Sequence, residues 1–125
     1  MPDDQADISS EMSLQFIAVY QRINYYNAAL LRLGELAVER KIQPSELRAH
    51  VEQIEQPRHK WVAIAEALED GITTLPKVSE ASVIRLMERV KALREVIDAS
   101  ERVDDLLNAV ADAASAMDDA AKTEA

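Results

Sequence analysis

A chain of 125 residues sits close to the common size of one domain and can bury a modest core, so a single domain is the expectation. The absence of cysteine excludes disulfides, thiolate nucleophiles and thiolate metal sites. Two glycines, four prolines and 4% aromatics leave few chain breaks and an aliphatic core, which argues for long helices and against a turn-rich β-sandwich.

The net charge of −9 sits mostly at the ends, with −4 over residues 1–11 and −6 over residues 98–125. Between them twelve basic residues meet eleven acids, so the acidity is expected to serve solubility rather than to recruit a basic partner. The opening MPDDQADISSEM carries three aspartates where a secretory leader needs positive charge and an apolar run. No apolar run approaches the ~18 residues of a membrane span. A cytoplasmic location without a membrane partner is the expectation.

Residues 1–9 read as an acidic, flexible N-terminus. From Ser10 to about Lys41, Met12, Phe16, Val19, Ile23, Tyr26, Leu30, Leu33 and Ala37 recur at spacings of four and three. That is one face of a helix, for which Ser9 or Ser10 is the expected N-cap. Ile17, Tyr20, Leu31, Leu36 and Val38 widen the stripe and predict contacts on more than one side. Proline stops this helix before Pro44 and suits the first position of the next, with Gln43 as cap and Leu47, Val51 and Ile54 on its buried side. Pro57 either kinks or breaks the second helix; beyond it Trp61, Ile64, Ala65 and Leu68 carry the stripe to Asp70, with Gly71 as the C-cap. Residues 72–78, ITTLPKV, have no helical period and read as a loop tacked down by its Ile, Leu and Val.

Ser79 then caps a last helix, expected to run from Glu80 to about Met117. Its stripe begins as Val83, Leu86, Val90, Leu93 and Ile97 and is replaced by a second phase, Val96, Ala99, Val103, Leu106, Val110, Ala113 and Met117. Either a break near Asp98, Ala99 and Ser100 or a continuous helix whose distal half meets a new neighbour would produce the rotation, and the continuous helix is the reading adopted. At about 1.5 Å per residue the three helices would measure roughly 48, 40 and 57 Å, so the last would overhang. The expected fold is therefore all-α: a single domain over residues 10–118, an antiparallel bundle of three long helices. The middle helix is broken or kinked at Pro57, and so could be counted as two. Residues 119–125 form a flexible acidic tail. An overhanging C-terminal helix would expose Val103, Leu106, Val110 and Met117, which predicts a homo-oligomer of coiled-coil type through those residues.

Residues that carry chemistry are sparse. His50 follows Glu46, and His59 follows Glu55, at a spacing of four; the bundle di-metal pattern needs Glu three residues before His, so surface ion pairs are the better reading. Serines and threonines sit at caps or in the acidic ends, and no nucleophile–base constellation can be drawn. Gly34 and Gly71 are isolated, which disfavours a phosphate-cradling loop, and the paired acids Asp104 and Asp105, or Asp118 and Asp119, lack the turn glycine of a calcium loop. No catalytic residue, metal or cofactor is expected. Arg85, Arg89, Lys91 and Arg94 form the densest basic patch, yet Glu88 and Glu95 interleave and no aromatic platform accompanies them, so nucleic acid is a disfavoured partner.

One surface stands out beside the main stripe of the first helix: Tyr20, Asn24, Asn27 and Leu31, flanked by Gln21, Arg22 and Tyr25. Tyrosine with arginine is the mixture enriched in binding hot spots, and Gly34 on the same side would admit a neighbouring helix closely. The expected function is a non-enzymatic helical module for protein–protein interaction, an adaptor or regulator. An acidic inhibitor of the immunity, antitoxin or nucleic-acid-mimic type is the alternative; a mimic would spread carboxylates over its body, which is here near neutral. A small helical enzyme built on Arg22, Arg32, Arg40 and Lys41 stands third, since arginine alone is too common to carry it.

Overall fold

The computed structural model describes residues 2–71 and 78–122, with side chains from Met12 onward. Four helices make up these residues: α1 (Pro2–Val38), α2 (Pro44–Glu69), α3 (Glu80–Ala99) and α4 (Val103–Ala121). No strand occurs among them, so the all-α bundle expectation holds. No described helix is long and apolar enough to cross a membrane.

The helix ends show where local chemistry was legible. Helix α1 is already helical at Pro2, which places Ser9 and Ser10 inside it rather than at its cap. It closes with the hydrogen bonds of a Schellman motif, Lys41 N–H to the Leu36 carbonyl at 2.9 Å and Arg40 N–H to the Ala37 carbonyl at 3.0 Å. Arg40 takes the left-handed position with φ of 62°, a conformation normally left to glycine. Ile42 then tucks into the core. Helix α2 starts with Pro44 in its first turn and runs unbroken through Pro57, which resolves the choice between break and continuity in favour of one helix. Asp70 takes the C-cap position expected of Gly71, which follows it in the left-handed region with φ of 69°. The expected loop over residues 72–78 lies outside the described residues except for Val78, which is buried in the core. Ser79 caps α3 through a reciprocal pair of 3.0 Å hydrogen bonds with Ser82.

The continuous last helix is corrected. Helix α3 ends at Ala99, and α4 starts anew at Val103 after extended backbone at Ser100 and Arg102. The phase shift in the sequence thus marks a corner, and the overhang disappears; the longest helix is α1, at about 55 Å, while α3 and α4 are each about 30 Å or less. Folding back is favoured because it buries Leu106, Val110, Ala113, Met117 and Ala120 inside the chain's own core. Ser100 is itself buried; its Oγ donates to the Val96 carbonyl at 3.0 Å, and its carbonyl accepts from Arg32 Nε at 3.0 Å and Nη2 at 2.7 Å. A helix end orphans its last carbonyls, and Arg32 supplies charged donors at that place.

Helix α1 contacts all three others, whereas the α2 and α3 backbones do not approach each other. The pairs Tyr20–Glu69 and Asn27–Arg58 run in opposite senses, so α2 lies antiparallel to α1. Two rows of α1 are buried. Val19 and Ile23 meet Ala65 and Leu68 of α2, while Ala18, Tyr25, Ala29 and Leu36 belong to the larger core shared with α3 and α4.

Candidate interaction surfaces

Three of four faces of α1 are covered, and the fourth runs between α2 and α3. A row of exposed residues there follows a spacing of four and three, Ser13, Ile17, Tyr20, Asn24, Asn27, Leu31, Gly34 and Val38, with exposed Glu35, paired with Arg32, at its margin. The expected partner-binding residues Tyr20, Asn24, Asn27 and Leu31 are therefore brought together on one solvent-facing line. Leu31 is 70% exposed and Val38 84%, values at which an aliphatic side chain gains almost nothing from the fold. Tyr20 stacks on Phe16 with ring centroids 6.1 Å apart, and its hydroxyl donates to Glu69 Oε1 at 3.0 Å. That hydrogen bond, with partial desolvation and the Glu69 charge behind it, raises the Tyr20 phenol above its ordinary range. Asn27 Oδ1 accepts from Arg58 Nε at 2.6 Å, so α2 holds two of the four side chains in place. Beside the line, Gln21 shares a groove with Met87, Val90, Lys91, Arg94, Glu95 and Asp98 of α3.

The flanking residues behave otherwise than expected. Arg22 and Tyr25 turn inward. Arg22 is clamped between three helices: Nη1 donates to the Ala18 carbonyl at 3.1 Å, Nη2 to Asp118 Oδ1 at 3.1 Å, and the guanidinium lies 4.2 Å from the centre of the Trp61 ring. Burial lowers the Arg22 pKa, opposed by the hydrogen bond to Asp118 and the Asp118 charge. Tyr25 packs edge-on against Tyr26 at 5.4 Å, and its hydroxyl is buried with no hydrogen-bond partner among the described residues. Burial pushes the Tyr25 phenol well above the ordinary range, and it also raises Tyr26, with the Asp118 charge adding and Arg22 opposing.

Of the four expected oligomerisation residues, Leu106, Val110 and Met117 are buried inside the chain and Val103 is half-buried. Exposure was the premise of self-association through α4, and the corner at Ser100 removes it. His50 Nε2 lies 3.9 Å from Glu46 Oε2, while His59 is exposed. No group of three or more metal-ligating side chains gathers among the described residues.

A groove of about 640 Å³ that sequence reasoning missed opens between α2 and α4. Tyr26 forms part of its wall, with Gln53, Gln56 and Pro57 on one side and Leu107, Asn108 and Ala111 on the other. Asp104 and Tyr26 are its titratable groups, and amides supply most of its remaining polarity. Pro57 lacks the N–H that would bond the Gln53 carbonyl, so a helix carbonyl loses its donor at this wall. The only sequence signal was that proline, since the opposite wall depends on the corner.

The chain matches no protein-family model, no characterised protein and no solved structure. Its class is set by its own geometry: among the described residues, an all-α bundle of four helices with a solvent-exposed line along α1.

Proposed function

We propose that the chain is a non-enzymatic helical interaction module, an adaptor or regulator, that engages a protein through the outward line of α1. The observation that carries this reading is the composition of that line. In a chain with 30% charged residues, the eight positions from Ser13 to Val38 include no charge and hold Ile17, Tyr20, Leu31 and Val38 in water. Solvated helix faces are ordinarily charged, and an apolar, tyrosine-bearing row with amides between is the composition of interface cores. Its geometry suits helix-in-groove or helix-on-helix recognition, in which anchors repeat every three or four residues.

The test is capture on the immobilised chain from extract of its native host, followed by reconstitution with each purified candidate. Leu31→Asp and the pair Asn24→Arg/Asn27→Arg should abolish reconstituted binding while the helical circular dichroism spectrum stays unchanged. Binding that survives both variants would remove this surface from the reading.

A further inference from the structure

The walls of the groove between α2 and α4 differ in composition from the helix faces beside them. Helix α4 is acidic where it meets water, with Asp105, Asp112 and Asp119 exposed at regular spacing. Its groove wall is instead Leu107, Asn108, Ala111 and Ala114. Across from it α2 presents Gln53, Gln56 and Pro57, although Glu52, Glu55, Arg58 and His59 adjoin them in the sequence. Among the described residues Asp104 alone brings a full charge to the lining, and it forms no ion pair with any of them.

We infer that this groove is a binding site for a small organic cation, a protonated amine on an apolar body. The ammonium pairs with Asp104, and the body lies along Leu107, Ala111 and Pro57. A volume of about 640 Å³ falls within the range of small-molecule sites, roughly 300–1,000 Å³. Such sites combine apolar walls with a few polar groups that fix orientation, the part taken here by the amides of Gln53, Gln56 and Asn108.

The fixed polar groups select for a donor. Pro57 offers no N–H to the Gln53 carbonyl, so the α2 wall keeps a free backbone acceptor, and an ionised Asp104 can only accept. An ammonium carries three donors and the complementary charge. An anion finds no lysine, arginine or histidine among the lining residues. A metal ion finds no cluster of ligands among the described residues. Length excludes a partner helix: from Gln53 to Pro57 the α2 wall spans about 6 Å, whereas helix-in-groove docking places anchors over two turns, about 11 Å. The site lies away from the outward line of α1 and is independent of the interaction reading.

The test is titration of the full, isotope-labelled chain with phenylbutylamine, followed through amide chemical shifts. Phenylbutanol and phenylbutyrate serve as neutral and anionic counterparts of the same length. Saturable shifts centred on Gln53, Gln56, Leu107, Asn108 and Ala111 are expected, with a dissociation constant on the order of 1 mM for so small a probe. The amine should bind about threefold to fivefold more tightly than the alcohol, as a partly exposed ion pair provides, and the carboxylate should not bind. Asp104→Asn should erase the advantage of the amine. Asp105→Asn, in the same first turn of α4 but outside the groove, should leave it intact. Ala111→Trp should fill the groove and abolish binding of both amine and alcohol, with circular dichroism verifying the fold of each variant. Absence of saturable shifts overturns the inference, as do equal affinities for amine and alcohol or a loss on Asp105→Asn matching that on Asp104→Asn. Leu31→Asp should leave amine binding unchanged, so this site and the α1 surface can fail separately.

Discussion

Tyr25 puts a hydroxyl into the core with no hydrogen-bond partner among the described residues, a cost the fold carries for the sake of the ring. Removing the oxygen keeps the ring packing and its edge-on contact with Tyr26. Tyr25→Phe is therefore expected to leave stability unchanged or raise it by up to about 1 kcal/mol, read from urea melts at neutral pH. The same residue sets a pH dependence. Its phenol, and that of Tyr26, is harder to ionise in the folded chain than in the unfolded one, where tyrosine titrates near about 10. Stability from these groups is present in full below that pH and falls as the pH rises above it, because the unfolded chain loses protons first. Urea melts between neutral pH and about pH 11 should show the decline, and Tyr25→Phe should make it shallower. At the end of α1, Arg40 holds a left-handed backbone that suits glycine. Arg40→Gly should raise stability by about 0.5–1 kcal/mol in a thermal melt, the relieved strain exceeding the added chain entropy.

The second buried row of α1 was hidden because much of it is not apolar. Gln15, Ala18, Arg22, Tyr25 and Ala29 alternate polar and small side chains, and a pattern search for aliphatics passes over them. The α1 stripe facing α2 and the first half of α3 were legible, since Val19, Ile23, Val83, Leu86 and Val90 are apolar at helical spacing. The α3–α4 corner was half legible: the phase shift located it, but no glycine or proline stands between Asp98 and Val103 to say that the helix ends. Arg32, sixty-eight residues distant from Ser100, decides it, and nothing local shows that contact. Arg32→Ala should cost about 1.5–3 kcal/mol, the range for hydrogen bonds to a charged group, with the helices otherwise kept. Leu106→Asp should unfold the chain rather than dissociate an oligomer, since the carboxylate would replace a fully buried side chain; loss of the circular dichroism signal and of a cooperative melt would register it.

Viewed across the molecule, the alignment of Tyr20, Asn24, Asn27 and Leu31 on one face was legible from periodicity alone, whereas the burial of their neighbours Arg22 and Tyr25 was not. The uncovered state of that face was not readable, since that depends on α2 and α3 staying apart. The contrast between surface and core gives a further expectation: Leu31→Asp should shift stability by no more than about 0.5 kcal/mol in urea, against the collapse expected of Leu106→Asp. Equal damage from both would mean that α1 is covered where it is described as open.

Trp61 is the chain's single tryptophan, and it borders both hydrophobic clusters while lying under the Arg22 guanidinium. Its emission is thus a natural optical probe of the junction where α1, α2 and α4 are tied. If that junction couples the clusters, fluorescence and far-ultraviolet ellipticity will trace one superimposable denaturation curve; a tie that opens early would separate them, with the indole signal changing first.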